Sequence, residues 1–307
     1  MPESSASSND IASTLLAASF ALAFLLLLIG SVVKYFSRAK SVVPIVENDP
    51  EQPMGLLPPS LPVGKVATWW CHRVDVLGLL LMSTIFLFFA LSQAAAQKEG
   101  STPPLTSSAL VANIVVFAFL VAVVTIIVWW RVKPVVWLGL RWRQWPLFFC
   151  IGPAAVIVMW IIMGMLQQYG YIAWAENLVG NDSMQDAVKL LREGNDALTV
   201  SLMAFSAAIV APIAEEVIFR GYLYPVAKHF AGRSTAIIAT SLIFAAGHGN
   251  VPLMLPLFLL GILMACAYEW TGSLWAAISI HFFFNTATVS LQLAMRAGLF
   301  TLPETMP

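Results

Sequence analysis

A chain of 307 residues that is 59% hydrophobic and 10% charged, with a mean hydropathy of +0.82, lies outside the range of soluble domains and reads as an integral membrane protein. Its sixteen basic and sixteen acidic residues cancel, so the information lies in where the bases fall. No basic block or nucleic-acid motif occurs, which argues against nucleic acid as a partner.

The first ten residues are polar and carry acids but no base, and an apolar run follows over 11–33. A secretory signal would begin with bases and be shorter, so this is a membrane span. Lys34, Arg38 and Lys40 directly after it place its C-terminal end in the cytoplasm by the positive-inside rule. Residues 41–68 form a polar stretch with six prolines between 44 and 62, a composition that resists helix and sheet alike. Residues 1–40 then read as an appended span, tethered by a cytoplasmic linker to a core that begins near Trp69.

Further apolar segments run over 74–96, 109–130, 147–167, 197–219, 234–247, 252–268 and 273–295. The expected fold is therefore all-α, a polytopic transmembrane helix bundle of about eight spans. Alternating them from the first leaves only Lys98, Lys189, Arg192 and Arg296 outside and puts Arg220, Lys228 and the remaining bases inside. The 131–146 connection, with four bases and Trp137, Trp142 and Trp145, is expected to anchor at headgroup level. The acidic 168–196 segment is expected as an outside loop with room for a short helix. Cys71, Cys150 and Cys266 give no disulfide framework or metal site and are expected as small buried hydrophobes. No internal repeat is evident, which weighs against the inverted-repeat transporters.

Charge at membrane depth is costly and defaults to function. Glu215, Glu216 and Arg220 close the apolar run from Val200. Residues four apart share a helix face, so Glu216 stacks on Arg220 and the two neutralise each other. Glu215, turned by about 100°, is left to face a cavity. His248 ends the sixth segment at Gly247-His248-Gly249-Asn250-Val251-Pro252, which cannot continue as a regular helix, and shares a face with Phe244. His281 shares a face with Asn285. A carboxylate, two imidazoles and an amide are the inventory of hydrolysis: Glu215 as general base on a water, the histidines orienting that water or binding a metal, and Asn285 donating to an oxyanion. His72 and His229, beside Arg73 and Lys228, are expected at hydrated boundaries, and Glu269 at an interface that it reaches by snorkelling. One geometric difficulty arises. His248 lies too deep to meet Glu215 unless its helix starts outside the bilayer or tilts, and it is expected to project into the cytoplasm.

Glu215-Glu216-x-x-x-Arg220, Phe244-x-x-x-His248 and His281-x-x-x-Asn285, with Tyr268-x-x-Thr271-Gly272-Ser273-Leu274 ahead of the last, resemble the motifs of the CAAX prenyl protease and bacteriocin-processing family of intramembrane proteases. The resemblance covers roughly 201–290 and none of 1–145. It implies a catalytic core over 201–296, with accessory spans over 69–200 and a tail over 297–307. It further implies a cavity opening toward the cytoplasmic half of a plasma membrane, bacterial by expectation. Glu215, His248, His281 and Asn285 would be catalytic, with Glu216, Arg220 and Phe244 supporting. Substrates would be peptides or lipid-anchored proteins, such as prenylated CAAX-type tails or leader peptides, met alongside membrane lipid. The family is grouped with metalloproteases, yet no H-E-x-x-H occurs, so a zinc stays open. Glu215, His248 and His281 could supply three ligands, but Glu215 could then hardly be a free base as well. Two other readings compete: a non-enzymatic membrane scaffold or bacteriocin-immunity partner with a structural polar cluster, and a proton-coupled carrier.

Overall fold

The computed structural model describes residues 3–40, 65–98, 104–180 and 186–299. Most of the proline-rich stretch and of the expected tail lies outside them. Every regular element among the described residues is helical: α1 Glu3–Lys40, α2 Asp75–Lys98, α3 Ser107–Trp129, α4 Pro134–Trp137, α5 Phe148–Gln168, α6 Tyr171–Val179, α7 Asp186–Glu193, α8 Ala197–Ala231, α9 Arg233–Gly247, α10 Met254–Thr271 and α11 Leu274–Arg296.

Seven of these are long and apolar enough to cross a membrane. All eight expected segments are helices, but α9, with 15 residues, rises only about 22 Å against a hydrocarbon core of about 30 Å. The count of full-length candidates is therefore seven. Large apolar side chains point outward along the bundle, among them Leu28, Phe88, Phe119 and Ile161. In water such a surface would aggregate; lipid covers it, and the chain is an integral membrane protein.

The ends of the helices follow local chemistry. Thr106 caps α3 by accepting from the Ala109 N–H, and Asp196 caps α8 by accepting from Leu198 and Thr199. Gly272, at φ +72°, closes α10 in the left-handed conformation that a Cβ would strain. The 168–196 segment carries two short helices, α6 and α7.

Helix α1, the expected appended span, packs against the bundle. Its Leu16, Phe20, Ala23 and Leu27 are buried in the main core. At Gly30 the chain passes so close to the end of α8 that a Cβ would stand 2.7 Å from the Ala231 carbonyl. One turn on, Lys34 Nζ donates to the carbonyls of Lys228 and His229 in the last turn of that helix.

The helix bearing the paired carboxylates continues past 219 to Ala231, and everything from Val217 to Lys228 is buried. Arg220 and Lys228 are thus interior residues rather than boundary charges. Gly232, at φ +91°, then reverses the chain into α9. Glu215 lies about 24 Å before this turn and His248 about 22 Å after it. These equal arms remove the depth difficulty and bring the two side chains to one level.

Candidate active site

Helix α8 contains Pro212 and Pro225. A proline has no N–H to give, and its ring crowds the carbonyl one turn back. Each is preceded by a widened turn of π geometry, over Ser206–Val210 and Val217–Leu223, in which Ala211 N–H bonds Ser206 O and Tyr224 N–H bonds Phe219 O. The acceptors left over are filled from other helices. Asn285 Nδ2 donates to Ala207 O at 2.9 Å, and Trp137 Nε1 donates to Gly221 O at 2.7 Å. Between the two widened turns stands Ala211–Glu216, with both carboxylates at its end.

Glu216 is fully buried, and its Oε1 accepts from Arg220 Nη1 and from His281 Nδ1, each at 2.9 Å. Arg220 also donates to Gly261 O at 3.1 Å and lies with Cζ 4.5 Å from the centre of the Phe244 ring. His248 Nδ1 is 2.8 Å from Phe244 O. A carbonyl and an ion-paired carboxylate only accept, so both Nδ1 atoms carry the proton, and a neutral ring presents a lone pair at Nε2. Both Nε2 atoms stand 3.9 Å from Glu215 Oε2, an oxygen that is buried and has no hydrogen-bond partner. The Phe244 ring sits edge-on to both imidazoles, 4.7 Å from His248 and 5.8 Å from His281 between centres.

A separation of 3.9 Å is too long for a direct hydrogen bond but suits one water with legs of about 2.8 Å. It is wider than the roughly 3.4 Å between two donors on a tetrahedral zinc with bonds of about 2.1 Å. Among the described residues no three His, Cys, Asp or Glu are placed to hold a metal. As arranged, Glu215, His248 and His281 do not fit zinc.

The structure therefore brings Glu215, Glu216, Arg220, Phe244, His248 and His281 together. Asn285 lies one turn from His281, with its amide engaged by Ala207 O. Glu269 does not reach the interface. It is 6% exposed and accepts from Lys228 Nζ at 2.7 Å and Tyr224 OH at 2.5 Å. His229 Nδ1 is tied to Thr68 O at 3.0 Å. Of the cysteines only Cys71 is buried; Cys150 and Cys266 are exposed.

Two supports were missed in the sequence. Trp137, expected at headgroup level, is 3% exposed and wedged against α8; Trp145 alone of that segment's three tryptophans is widely exposed. Asp75, wholly buried, holds Arg131 in a two-point ion pair and accepts from Tyr222 OH at 3.2 Å. The Asp75 carboxylate beside Arg131 raises the Arg131 pKa above its ordinary value. This triad ties α2 and the end of α3 to α8 one turn beyond the site. A lone acid opening an apolar span was the available signal.

A family model described as type II CAAX prenyl endopeptidase Rce1-like matches residues 197–287. A Bacillus subtilis (strain 168) protein named "Putative membrane peptidase YdiL" is 32% identical over 94 residues, which are 31% of this chain and 38% of that protein. The chain thus matches well under half of that relative's length. No solved structure matches. Over residues 197–287, which carry all of the candidate site residues, the chain is similar to the type II CAAX prenyl endopeptidase Rce1-like family.

Proposed function

We propose that the chain is an intramembrane endopeptidase in which Glu215 activates a water. The observation that carries this reading is the buried, unpartnered Glu215 Oε2, equidistant from two imidazole nitrogens whose opposite ring atoms are anchored. In this reading a water sits between Glu215 Oε2 and the Nε2 of His248. Glu215 takes one proton, and the resulting hydroxide attacks the carbonyl carbon of the scissile peptide. The second amide hydrogen of Asn285 and, when protonated, His281 Nε2 donate to the oxyanion. Collapse breaks the C–N bond, and Glu215 returns its proton to the leaving amine, so that one water and one peptide bond become a carboxyl and an amine. General base catalysis supplies about 10²–10⁴-fold and an oxyanion donor about 10²–10³-fold. Glu216 and Arg220 hold His281 in register, and no step passes through a metal.

The substrates we propose are prenylated CAAX-type tails, leader peptides or other lipid-anchored proteins, met in a bacterial plasma membrane from its cytoplasmic half. The concentration of bases in the connections after the first, third and fifth expected spans supports that orientation. The amide of Asn285 on Ala207 O favours a second reading, in which the polar cluster only holds the helices of a non-enzymatic scaffold together.

Purified protein in detergent, offered quenched fluorescent peptides with and without a prenylated C-terminal cysteine, separates the two. Hydrolysis abolished by Glu215→Gln at an unchanged unfolding midpoint, and lost also in His281→Ala, is the expected result. If no peptide is cut by a stable parent protein, the scaffold reading replaces the enzyme.

A further inference from the structure

Where α8 turns into α9, an open cleft of about 420 Å³ lies between the start of α9, the end of α10 and the segment entering at residue 65. Lys65, Arg233 and Ser234 form its polar rim and Ile237 its apolar wall. Trp270 borders it, 66% exposed. Glu269 lines it too, but its two oxygens are occupied by Lys228 and Tyr224 from within the protein. Lys65 and Arg233 are both exposed, and neither makes an ion pair among the described residues. The cleft thus holds two uncompensated cations beside apolar surface, with an indole at its edge. The same end of the bundle carries Lys34, bound to the last carbonyls of α8.

We infer that this cleft binds an anionic membrane phospholipid, with its phosphate on Lys65 and Arg233 and the upper part of an acyl chain along Ile237 and Trp270. Guanidinium and ammonium groups suit phosphate oxygens, basic clefts between membrane helices take anionic headgroups, and indole rings prefer that depth. A free phosphate would meet the cations but leave the apolar wall bare. Because the segment from Lys65 to Trp70 packs on α8 and α10 here, with the Lys65 N–H on Glu269 O at 3.2 Å, an occupied cleft holds that segment against the bundle.

The test is the unfolding midpoint of detergent-purified protein titrated with phosphatidylglycerol, phosphatidylcholine or inorganic phosphate. Binding at well above the dissociation constant should raise the midpoint by roughly 3–5 °C with phosphatidylglycerol. The gain should be absent with phosphatidylcholine, lost in the Lys65→Gln/Arg233→Gln double variant, and retained in a Lys133→Gln/Arg141→Gln control. Equal gains from both lipids in the unmodified protein, or a gain that survives the Lys65/Arg233 double variant, would overturn the inference. A gain reproduced by inorganic phosphate would make the cleft a simple anion site instead. Should the double variant fail to fold, the comparison of lipids on the unmodified protein still decides.

Discussion

Replacing Glu216 with Gln removes one charge from a pair closed to solvent on both sides, the side chains being 0% and 2% exposed. Arg220 keeps its full charge, with the Gly261 carbonyl and the face of Phe244 as the partners left to it. Breaking a buried pair by removing one member costs about 3–5 kcal/mol, whereas replacing both members with apolar groups of similar volume is often neutral. At about 2 °C per kcal/mol for a chain of this size, Glu216→Gln should unfold roughly 6–10 °C below the parent. Glu216→Leu/Arg220→Met should unfold close to it. His281 loses its anionic acceptor in both variants, so peptide hydrolysis at saturating substrate should fall in both while stability falls in only one. Tryptophan fluorescence on heating in detergent, read beside hydrolysis, separates the two quantities. A single variant as stable as the double, or a double variant that still turns over at the parent rate, would refute the assignment of Glu216 and Arg220 as a charge-balanced support for His281.

Trp137→Phe leaves the Gly221 carbonyl buried without a donor, and a loss of about 1–3 kcal/mol is expected in the same melting assay; no loss would mean that Gly221 O finds another partner. Gly249→Ala places a Cβ 2.8 Å from Gln93 Oε1 at a backbone φ of +65°, costing about 1–2 kcal/mol from conformation alone. Because His248 precedes it, hydrolysis should fall by more than stability accounts for. Gly30→Leu forces α1 away from Ala231 O and Thr235 and should destabilise by about 1–3 kcal/mol; a neutral result would mean that α1 is only an appendage to the bundle. Phe244→Leu removes the ring that packs against Arg220 and both imidazoles, so turnover should drop while substrate binding changes little.

Much of the site was legible because its signal is local. A helix repeats every 3.6 residues, so Glu216 had to stack on Arg220, Glu215 had to turn away from them, and the Gly247–Pro252 stretch had to break after His248. The membrane class and the helical fold followed from composition, since an exposed backbone cannot survive in lipid. What the sequence did not disclose depends on contacts between distant segments. Pro212 and Pro225 were plain to see, but which side chains would take the carbonyls they leave, Asn285 from α11 and Trp137 from the 131–146 connection, is a matter of how helices cross. The burial of Lys228 with Glu269, of Asp75 with Arg131, and of α1 against the α8–α9 turn likewise rests on partners between 41 and 194 residues away. Charge in an apolar segment therefore identified where chemistry could occur. Only the packed bundle decided which charges face each other as structural pairs and which carboxylate oxygen is left without a partner.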